Sequence, residues 1–504
     1  MPRLAINLHK LSAIVNTIIP ILTLAFLLLG IYQSLYFHIG TVIFGILFMA
    51  NIYLMNFQTD YAILRNFGIL GQMRYILESI GPEFRQYLYA SDTEEKPFNR
   101  TEREEVYNKA KNLDSTSAFG SQDLFNEHEI KIRHSIFPIP KEEVKPYSVT
   151  FGEERGIKNS HTITKPVMIS AMSFGALGEN AVRSLARGAK KAKITMNTGE
   201  GGYPKHHLLE SPDLIFQMGT AKFGVRNEDG SLNDEKLKRL SMNPNIKMIE
   251  IKFSQGAKPG KGGLLPKEKI TKEISELRGV PMGKDIVSPA GHIECIDPKS
   301  TIQFIKRVQD ISLLPVGIKL VFGNHGEFKS LVKEMKKQKI FPDYIAIDGA
   351  EGGTGAAPKS FMDNIGVPLF PALESVQRIL IEENVRDKLK VIASGKLINP
   401  GKQIIAIALG ADAIYSARGF MLALGCIQAL RCNKNDCPVG ITTQNKHLQK
   451  GLDIKDKSKR VANYAINLDK EFKEILSATG SREYKELRNK KLYIPKVEAI
   501  AMSE

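Results

Sequence analysis

The sequence predicts an α/β protein: a (β/α)8 TIM barrel with long insertions, behind an N-terminal two-helix transmembrane hairpin. Three observations predict it. From Leu11 to Thr59 there is no Asp, Glu, Lys or Arg. From Pro166 onward, short β-branched runs end in Gly, Ser or polar residues and alternate with helical stretches. Eight such runs spread over residues 166–419 fit a closed barrel better than a doubly wound sheet.

Composition bounds the rest. A chain of 504 residues with 43% apolar and 25% charged content can bury a large core. The net charge is +16, but the lysines are scattered and no aromatic-interleaved basic stripe or nucleic-acid module is present. Nucleic acid is therefore not an expected partner; a membrane face or an acidic redox protein suits the charge. Four cysteines are too few for a disulfide scaffold.

The uncharged run is too long for a signal-peptide core. At about 20 residues per crossing it fits two spans, Ala13 to Tyr32 and Leu35 to Phe57, broken at Gln33-Ser34. Pro20 is expected in the first turns of span one, where a missing donor is tolerated. Tyr32, Tyr36 and Tyr53 suit the interfacial belt. Arg3, Lys10 and Arg65 flank the pair and the tip carries no basic residue, so both ends are expected in the cytoplasm, with the protein multi-pass in the inner membrane. Residues 61–160 read as a helical adaptor, with Ser91 and Glu94 spaced as a capping box and a charged helix from about Thr101. The expected organisation is anchor 1–60, adaptor 61–160, barrel 161–450 and helical tail 451–504.

The eight expected strands lie in "PVMISAMSFG", "KITMNTGEGG", "IKMIEIKFSQG", "DIVSPAG", "PVGIKLVFG", "DYIAIDGAEGGTG", "LKVIASGKL" and "ADAIYSARG". Two insertions are expected, Tyr203 to Asn245 after the second strand and Gln255 to Lys284 after the third. Glycine-rich strand ends let backbone donors approach a phosphate or a flat ring, and the last three strands carry them at Gly352 to Pro358, Ala393 to Leu397 and Leu409 to Gly419. Arg418 adds a charge there. Lys319 points into the barrel mouth, placed to hold charge on a reduced flavin or to polarise a carbonyl. Gln255, Lys258 and Lys261 share one Gly-rich loop, and Arg278 closes the next helix; such groups suit a dicarboxylate.

Three cysteines, Cys426, Cys432 and Cys437, stand C-x5-C-x4-C, with Pro438 directly after. Zinc needs a fourth ligand, which His447 or Cys295 reaches only by folding back. A disulfide strands one thiol. An iron–sulfur cluster favours several thiolates on one segment followed by Cys-Pro, and unrelated structural cysteines remain an alternative on spacing alone.

Together, "SAMSFGALGENA", "NTGEGG", "KFSQGAKPGKGGLLP", "GIKLV", "DGAEGGTGAAP", "LGADAIYSARG" and "LGCIQALRCNKNDCPVGITTQ" resemble the FMN-binding synthase domain of glutamate synthases, in family order from Ser170 to Gln444. "YASDTEEKPFNR" and the hairpin resemble the stand-alone, membrane-anchored branch of that family. The resemblance implies FMN and a [3Fe-4S] cluster as cofactors, the cluster on Cys426, Cys432 and Cys437. It implies FMN against Met172, Ser173 and Lys319, with Gly352, Gly353, Thr354, Gly355, Ser394, Gly395, Gly410 and Arg418 near ring and phosphate. It also implies 2-oxoglutarate held by Gln255, Lys258 and Arg278, with Glu200 lining the pocket and Glu200 and Lys319 catalytic. The implied reaction reduces 2-iminoglutarate, formed from 2-oxoglutarate and ammonia, to L-glutamate.

Departures sharpen the expectation. The sequence opens Met1-Pro2-Arg3, without the N-terminal nucleophilic cysteine of the family's glutaminase domain, so ammonia is expected from outside the chain. It has no GxGxxG fingerprint, so electrons are expected from a ferredoxin-like donor protein. Lys261 stands where the large enzymes carry Glu in "KPGEGG", and "SPAGHIECID" replaces "SPPPHHD". The altered loop at Lys261 motivates one alternative, the same cofactors acting on another 2-oxo acid or amine; a membrane-anchored electron-transfer protein is a separate one.

Overall fold

The computed structural model describes residues 8–120, 130–488 and 492–493. Arg3 and the end of the expected tail, residues 494–504, lie outside the described residues. The chain forms two compact units, Met1–Thr101 and Glu102–Glu504.

In the first unit, α1 (Leu8–Tyr32) and α2 (Phe37–Ile52) pack on each other, and α2 runs on through a π-turn at Tyr53–Phe57. Leu11–Tyr32 and Phe37–Phe57 are each long and apolar enough to cross a membrane. Close approach is built from small residues: a Cβ on Gly40 would lie 2.4 Å from Phe26 Cδ1. A polar tie crosses the pair, with Asn51 Nδ2 donating to Asn16 Oδ1 at 2.9 Å while Ile69 N donates to Asn51 Oδ1 at 2.8 Å. Pro20 corrects the expectation: the helix starts at Leu8, so the proline lies mid-helix rather than in the first turns. A further helix, α3 (Gln72–Phe84), follows, and Ser91 N donates to Glu94 Oε2 at 3.1 Å in a turn ahead of α4 (Arg100–Lys111).

The second unit is a closed, wholly parallel barrel of eight strands: β1 (Val167–Ile169), β2 (Met196–Asn197), β3 (Leu214–Met218), β4 (Ile246–Lys252), β5 (Val316–Leu320), β6 (Tyr344–Asp348), β7 (Lys390–Ser394) and β8 (Ala413–Ser416). β8 closes on β1 with Ser416 opposite Ile169, and Lys319 lies opposite Lys252 in the β4–β5 pair. One expected strand is replaced by a segment expected to be insertion. "LIFQM", inside the first expected insertion, is β3, and all five residues are buried. "DIVSPAG" is not a barrel strand: Ile286–Val287 pairs antiparallel with Leu264–Leu265 in the insertion after β4, and Val287 is exposed. A barrel strand is covered on both faces, and Val287 is not.

The barrel interior holds a polar knot. Glu250 accepts from Asn197 Nδ2 (2.8 Å), Gln217 Nε2 (2.7 Å) and Tyr415 OH (2.9 Å), satisfying a carboxyl that is fully buried. Gly317 makes room beside it, since a Cβ there would lie 2.3 Å from the Tyr344 ring. Outside the sheet, α5 (Glu179–Ala192) packs on α6 (Ile454–Ala478), where a Cβ on Gly188 would lie 2.4 Å from Val461 Cγ1.

Candidate active site

Past β2, Gly199 adopts φ +65°, and a Cβ there would come within 2.8 Å of Ser173 N. This turn lays Glu200 beside the Met172-Ser173 loop that follows β1. Gly219, just after β3, clears the space for the carboxyl: a Cβ there would lie 2.0 Å from Glu200 Oε2. Lys252, the last residue of β4, reaches Glu200 Oε1 at 2.8 Å and Gln255 Oε1 at 2.5 Å. Lys258 is buried and donates to Ala356 O at 3.0 Å. Arg278, buried at the end of the short helix Lys272–Arg278, donates to Phe174 O at 3.1 Å and lies 5.4 Å from the centre of the Phe223 ring. Its Nε is buried with no hydrogen-bond partner among the described residues.

Electrostatics show that these groups face one another. Burial pushes the Glu200 carboxyl up, but Lys252, Lys258 and Arg278 outweigh it and hold it below the ordinary value. Burial first, then Lys252 and Lys261, bring Lys258 down to about 8 against the pull of Glu200. Arg278 is lowered to about 10 by burial, with Glu200 opposing. One carboxylate thus stands among three cations and the Gln255 amide, a surplus of positive charge that suits an added carboxylate.

On the neighbouring strand β5, beside Lys252, Lys319 Nζ lies 3.7 Å from Asp348 Oδ2 and 5.7 Å from the centre of the Tyr415 ring. Gly256 N donates to the same Asp348 oxygen at 2.8 Å, tying the loop after β4 to the end of β6. Around them runs a bare-backbone cradle. A Cβ on Gly352 would meet Asp348 at 3.0 Å, one on Gly353 would meet Arg418 Nε at 2.9 Å, and Gly355 opens on free space. Thr354 Oγ1 donates to Ala356 O at 3.3 Å, and Ser394 O accepts from Gly349 N at 2.8 Å. Gly395 follows with φ +144°. Arg418 donates to Glu351 O at 2.5 Å and is lowered by burial, with Asp348 and Glu351 opposing. Met172, whose carbonyl accepts from His207 Nε2 at 3.1 Å, and Ser173 close the β1 side. Gly410 is not brought here. It precedes β8, and its carbonyl accepts from Arg386 at 2.8 Å at the opposite strand ends. A glycine-rich run straddling a strand offers both ends to a sequence reading, and only one faces the mouth.

Cys426, Cys432 and Cys437 stand on a loop with left-handed backbone at Gln428, Leu430 and Asn435. Burial raises Cys426 to about 12, with the charges of Cys432 and Cys437 adding to it, and Cys432 is raised by burial and by Cys437. Gln428 N points at Cys426 Sγ, 3.4 Å away. Among the described residues, no three His, Cys, Asp or Glu side chains are gathered to hold a single metal ion. Cys295 stands apart, raised to about 12 chiefly by burial and bonded to Thr301. α4 meets the cysteine loop: Tyr107 OH donates to Cys426 O at 2.6 Å and Arg103 to Ile427 O at 3.3 Å.

Two site residues escaped the sequence reading. Lys252 opens the quoted "KFSQG" but reads as the ordinary polar end of a strand. Lys269, in the charged run "KEK", reads as solvated, yet it is buried. Its Nζ donates to Cys432 O at 2.7 Å and to Ala176 O at 2.9 Å, joining the cysteine loop to the loop after β1. Burial lowers it to about 8, with Cys432 and Cys437 opposing.

The family model described as a conserved region in glutamate synthase matches residues 99–482. The glutamate synthase large subunit-like protein YerD of Bacillus subtilis (strain 168) is 39% identical over 484 residues, covering 88% of this chain and 92% of that protein. The archaeal glutamate synthase [NADPH] of Methanocaldococcus jannaschii is 38% identical over 325 residues, 64% of this chain but only 60% of that one. The ferredoxin-dependent glutamate synthase of Cyanidium caldarium is 32% identical over 336 residues, 64% of this chain and 21% of that one. Among solved structures, a flavocytochrome b2 with sulfite bound overlaps with a TM-score of 0.49 at 15% identity, over 88% of this chain and 90% of that one. With a family model spanning most of the barrel unit and a 39% identical relative along most of its length, the chain belongs to the glutamate synthase family.

Proposed function

We propose that the chain is an FMN-dependent oxidoreductase that converts 2-oxoglutarate and ammonia to L-glutamate through 2-iminoglutarate. The observation that carries the reading is the convergence of Lys252, Lys258, Arg278 and Gln255 around Glu200 at the barrel mouth. A dicarboxylate with an electrophilic carbonyl matches that charge pattern: Arg278, with its unpartnered Nε, is suited to grip the distal carboxylate, and Lys258 and Lys252 the proximal end. Glu200, held ionised, favours the cationic iminium formed when ammonia displaces water from the carbonyl.

The cradle suits FMN, because its glycines leave backbone uncovered, with Gly355 facing open space and the Arg418 guanidinium packed close against Gly353 to meet a phosphate. FMN, when bound, supplies the hydride to the imine carbon. Met172, Ser173, Lys319, Thr354, Ser394 and Gly395 would hold it, with Arg418 at its phosphate, and Lys319 balances negative charge at the ring. The three cysteines fit an iron–sulfur cluster such as [3Fe-4S]: Cys437 is buried, Cys426 and Cys432 are half-buried, Cys426 feels the charges of the other two and Cys432 that of Cys437, and Cys426 receives the Gln428 N–H. A cluster brings its own irons and sulfides between the thiolates, so its ligands need not converge as the ligands of one ion do. A ferredoxin-like donor suits the basic chain. The apolar hairpin supports a membrane anchor, with residues 61–160 as adaptor and the catalytic unit on the cytoplasmic side.

Lys261 favours a second reading, another 2-oxo acid or amine, because its charge bears directly on Lys258. Anaerobic purification in detergent tests both. Flavin, iron and sulfide are counted, then reduced ferredoxin is supplied with ammonium and 2-oxoglutarate or other keto acids. Glutamate formation supports the first reading; cofactors without glutamate, but with turnover of another keto acid or amine, support the second.

A further inference from the structure

The segment after the hairpin carries a feature that the reaction does not use. Along α3, Met73, Ile76, Leu77, Ile80 and Phe84 recur at the i, i+3, i+4 spacing of one helix face. In a soluble helix that stripe is the buried one. Here it is the outer one: Ile76 is 52% exposed, Leu77 58% and Phe84 47%, and no residue of α3 is buried. The stripe runs on through the following π-turn, Arg85–Tyr89, where Tyr87, Leu88 and Tyr89 are also exposed. The opposite side carries Arg74, Glu78 and Arg85, with Arg74 and Glu78 paired at 4.0 Å. Tyr75, also away from the stripe, meets Tyr61 edge-on with ring centres 5.2 Å apart, so the unit holds α3 by its other side and leaves the apolar face open.

We propose that α3 and its π-turn form an amphipathic interfacial helix lying in the plane of the bilayer surface, apolar face down. Its occupant is the boundary between headgroups and acyl chains. Continuity argues for lipid over protein: α3 begins fifteen residues after Phe57, where the second membrane-length stretch ends. A face so close to the bilayer meets lipid first. The flanking Tyr87 and Tyr89 are the residue type that settles at headgroup level, and Arg74 and Arg85 lie on the side left to water and phosphates. An interfacial helix sinks its apolar face roughly 5–10 Å into that boundary. The proposal rests on the hairpin being in the bilayer and goes beyond it by giving the adaptor a second membrane contact.

The chain contains no tryptophan, so one introduced Trp is the only indole reporter. Full-length Leu77→Trp, Ile80→Trp, Glu78→Trp and Leu24→Trp are reconstituted in phosphatidylcholine–phosphatidylglycerol vesicles, with and without lipids brominated near the headgroup or deep in the chains. Leu77→Trp and Ile80→Trp are expected to be blue-shifted, quenched by shallow bromine and shielded from acrylamide, with Glu78→Trp quenched by acrylamide. Leu24→Trp, in the first span, reports deep bromine. Stripe tryptophans open to acrylamide, or blue-shifted yet untouched by bromine at any depth, overturn the proposal in favour of a solvated or protein-covered face. If Leu24→Trp also escapes bromine, the hairpin reading falls and the proposal falls with it; if Leu24→Trp is quenched, only the proposal fails.

Discussion

Replacing Arg278 with Met removes a guanidinium that the fold holds almost out of water, bonded to Phe174 O and with an Nε that has no hydrogen-bond partner among the described residues. Methionine keeps the length and apolar contact against Phe223 but loses the charge. A hydrogen bond to a charged group contributes about 1.5–3 kcal/mol. At tenfold per 1.4 kcal/mol, the KM for 2-oxoglutarate is expected to rise roughly 10- to 150-fold. Arg278→Lys should fall between, since an ammonium keeps the charge but cannot grip a carboxylate with two parallel bonds. The assay is steady-state glutamate formation with reduced ferredoxin and saturating ammonium, alongside flavin content and thermal melting. An unchanged KM in a variant that keeps its flavin and its melting temperature would falsify the assignment of Arg278 to the dicarboxylate.

Four further outcomes follow from the same geometry. Because Lys261 helps depress Lys258, Lys261→Glu should move the alkaline limb of substrate binding upward from about pH 8. The shift should be about half a unit, kept small by solvent around Lys261; a profile that does not move would separate the two lysines. His207 and His292 are buried and lowered to about 4, mainly by burial, so between about 6.5 and 4 the unfolded chain binds protons that the folded one does not. Stability is therefore expected to fall as pH falls through that window, by roughly 3 kcal/mol per histidine at its lower end, and denaturant melts at pH 7, 5.5 and 4.5 check it. Cys432→Ser should lose iron and sulfide while retaining flavin, and Lys269→Met should keep both but shift the cluster's reduction potential downward, because a cation facing Cys432 and Cys437 is gone. Iron retained in Cys432→Ser, or an unmoved potential in Lys269→Met, would refute the respective role.

The barrel was legible because parallel strands covered on both faces must be runs of apolar and β-branched residues, and seven of the eight announce themselves so. β3 did not. Its run "LIFQM" is interrupted by Gln217, which reads as a loop polar residue until Glu250 is seen accepting its bond inside the barrel. "DIVSPAG" erred the other way, since two β-branched residues in a row do not say whether anything covers them. Of the candidate site, Glu200, Gln255, Lys258 and Arg278 were legible from motifs on separate segments, but their mutual contact was not. Lys252 and Lys269 stayed hidden because lysine in a sequence reads as solvated, and only the fold shows that these two are buried.

The chain's own order of residues determined the uncharged N-terminal stretch, the alternating rhythm of the barrel and the spacing of three thiols, because each is a local pattern that needs no partner. Tertiary structure alone decided which cations surround Glu200, which end of the barrel each glycine faces, and that α3 turns its apolar stripe outward. Those depend on what lies across space, and desolvation and Coulomb interaction act over ångströms, whatever the separation in sequence.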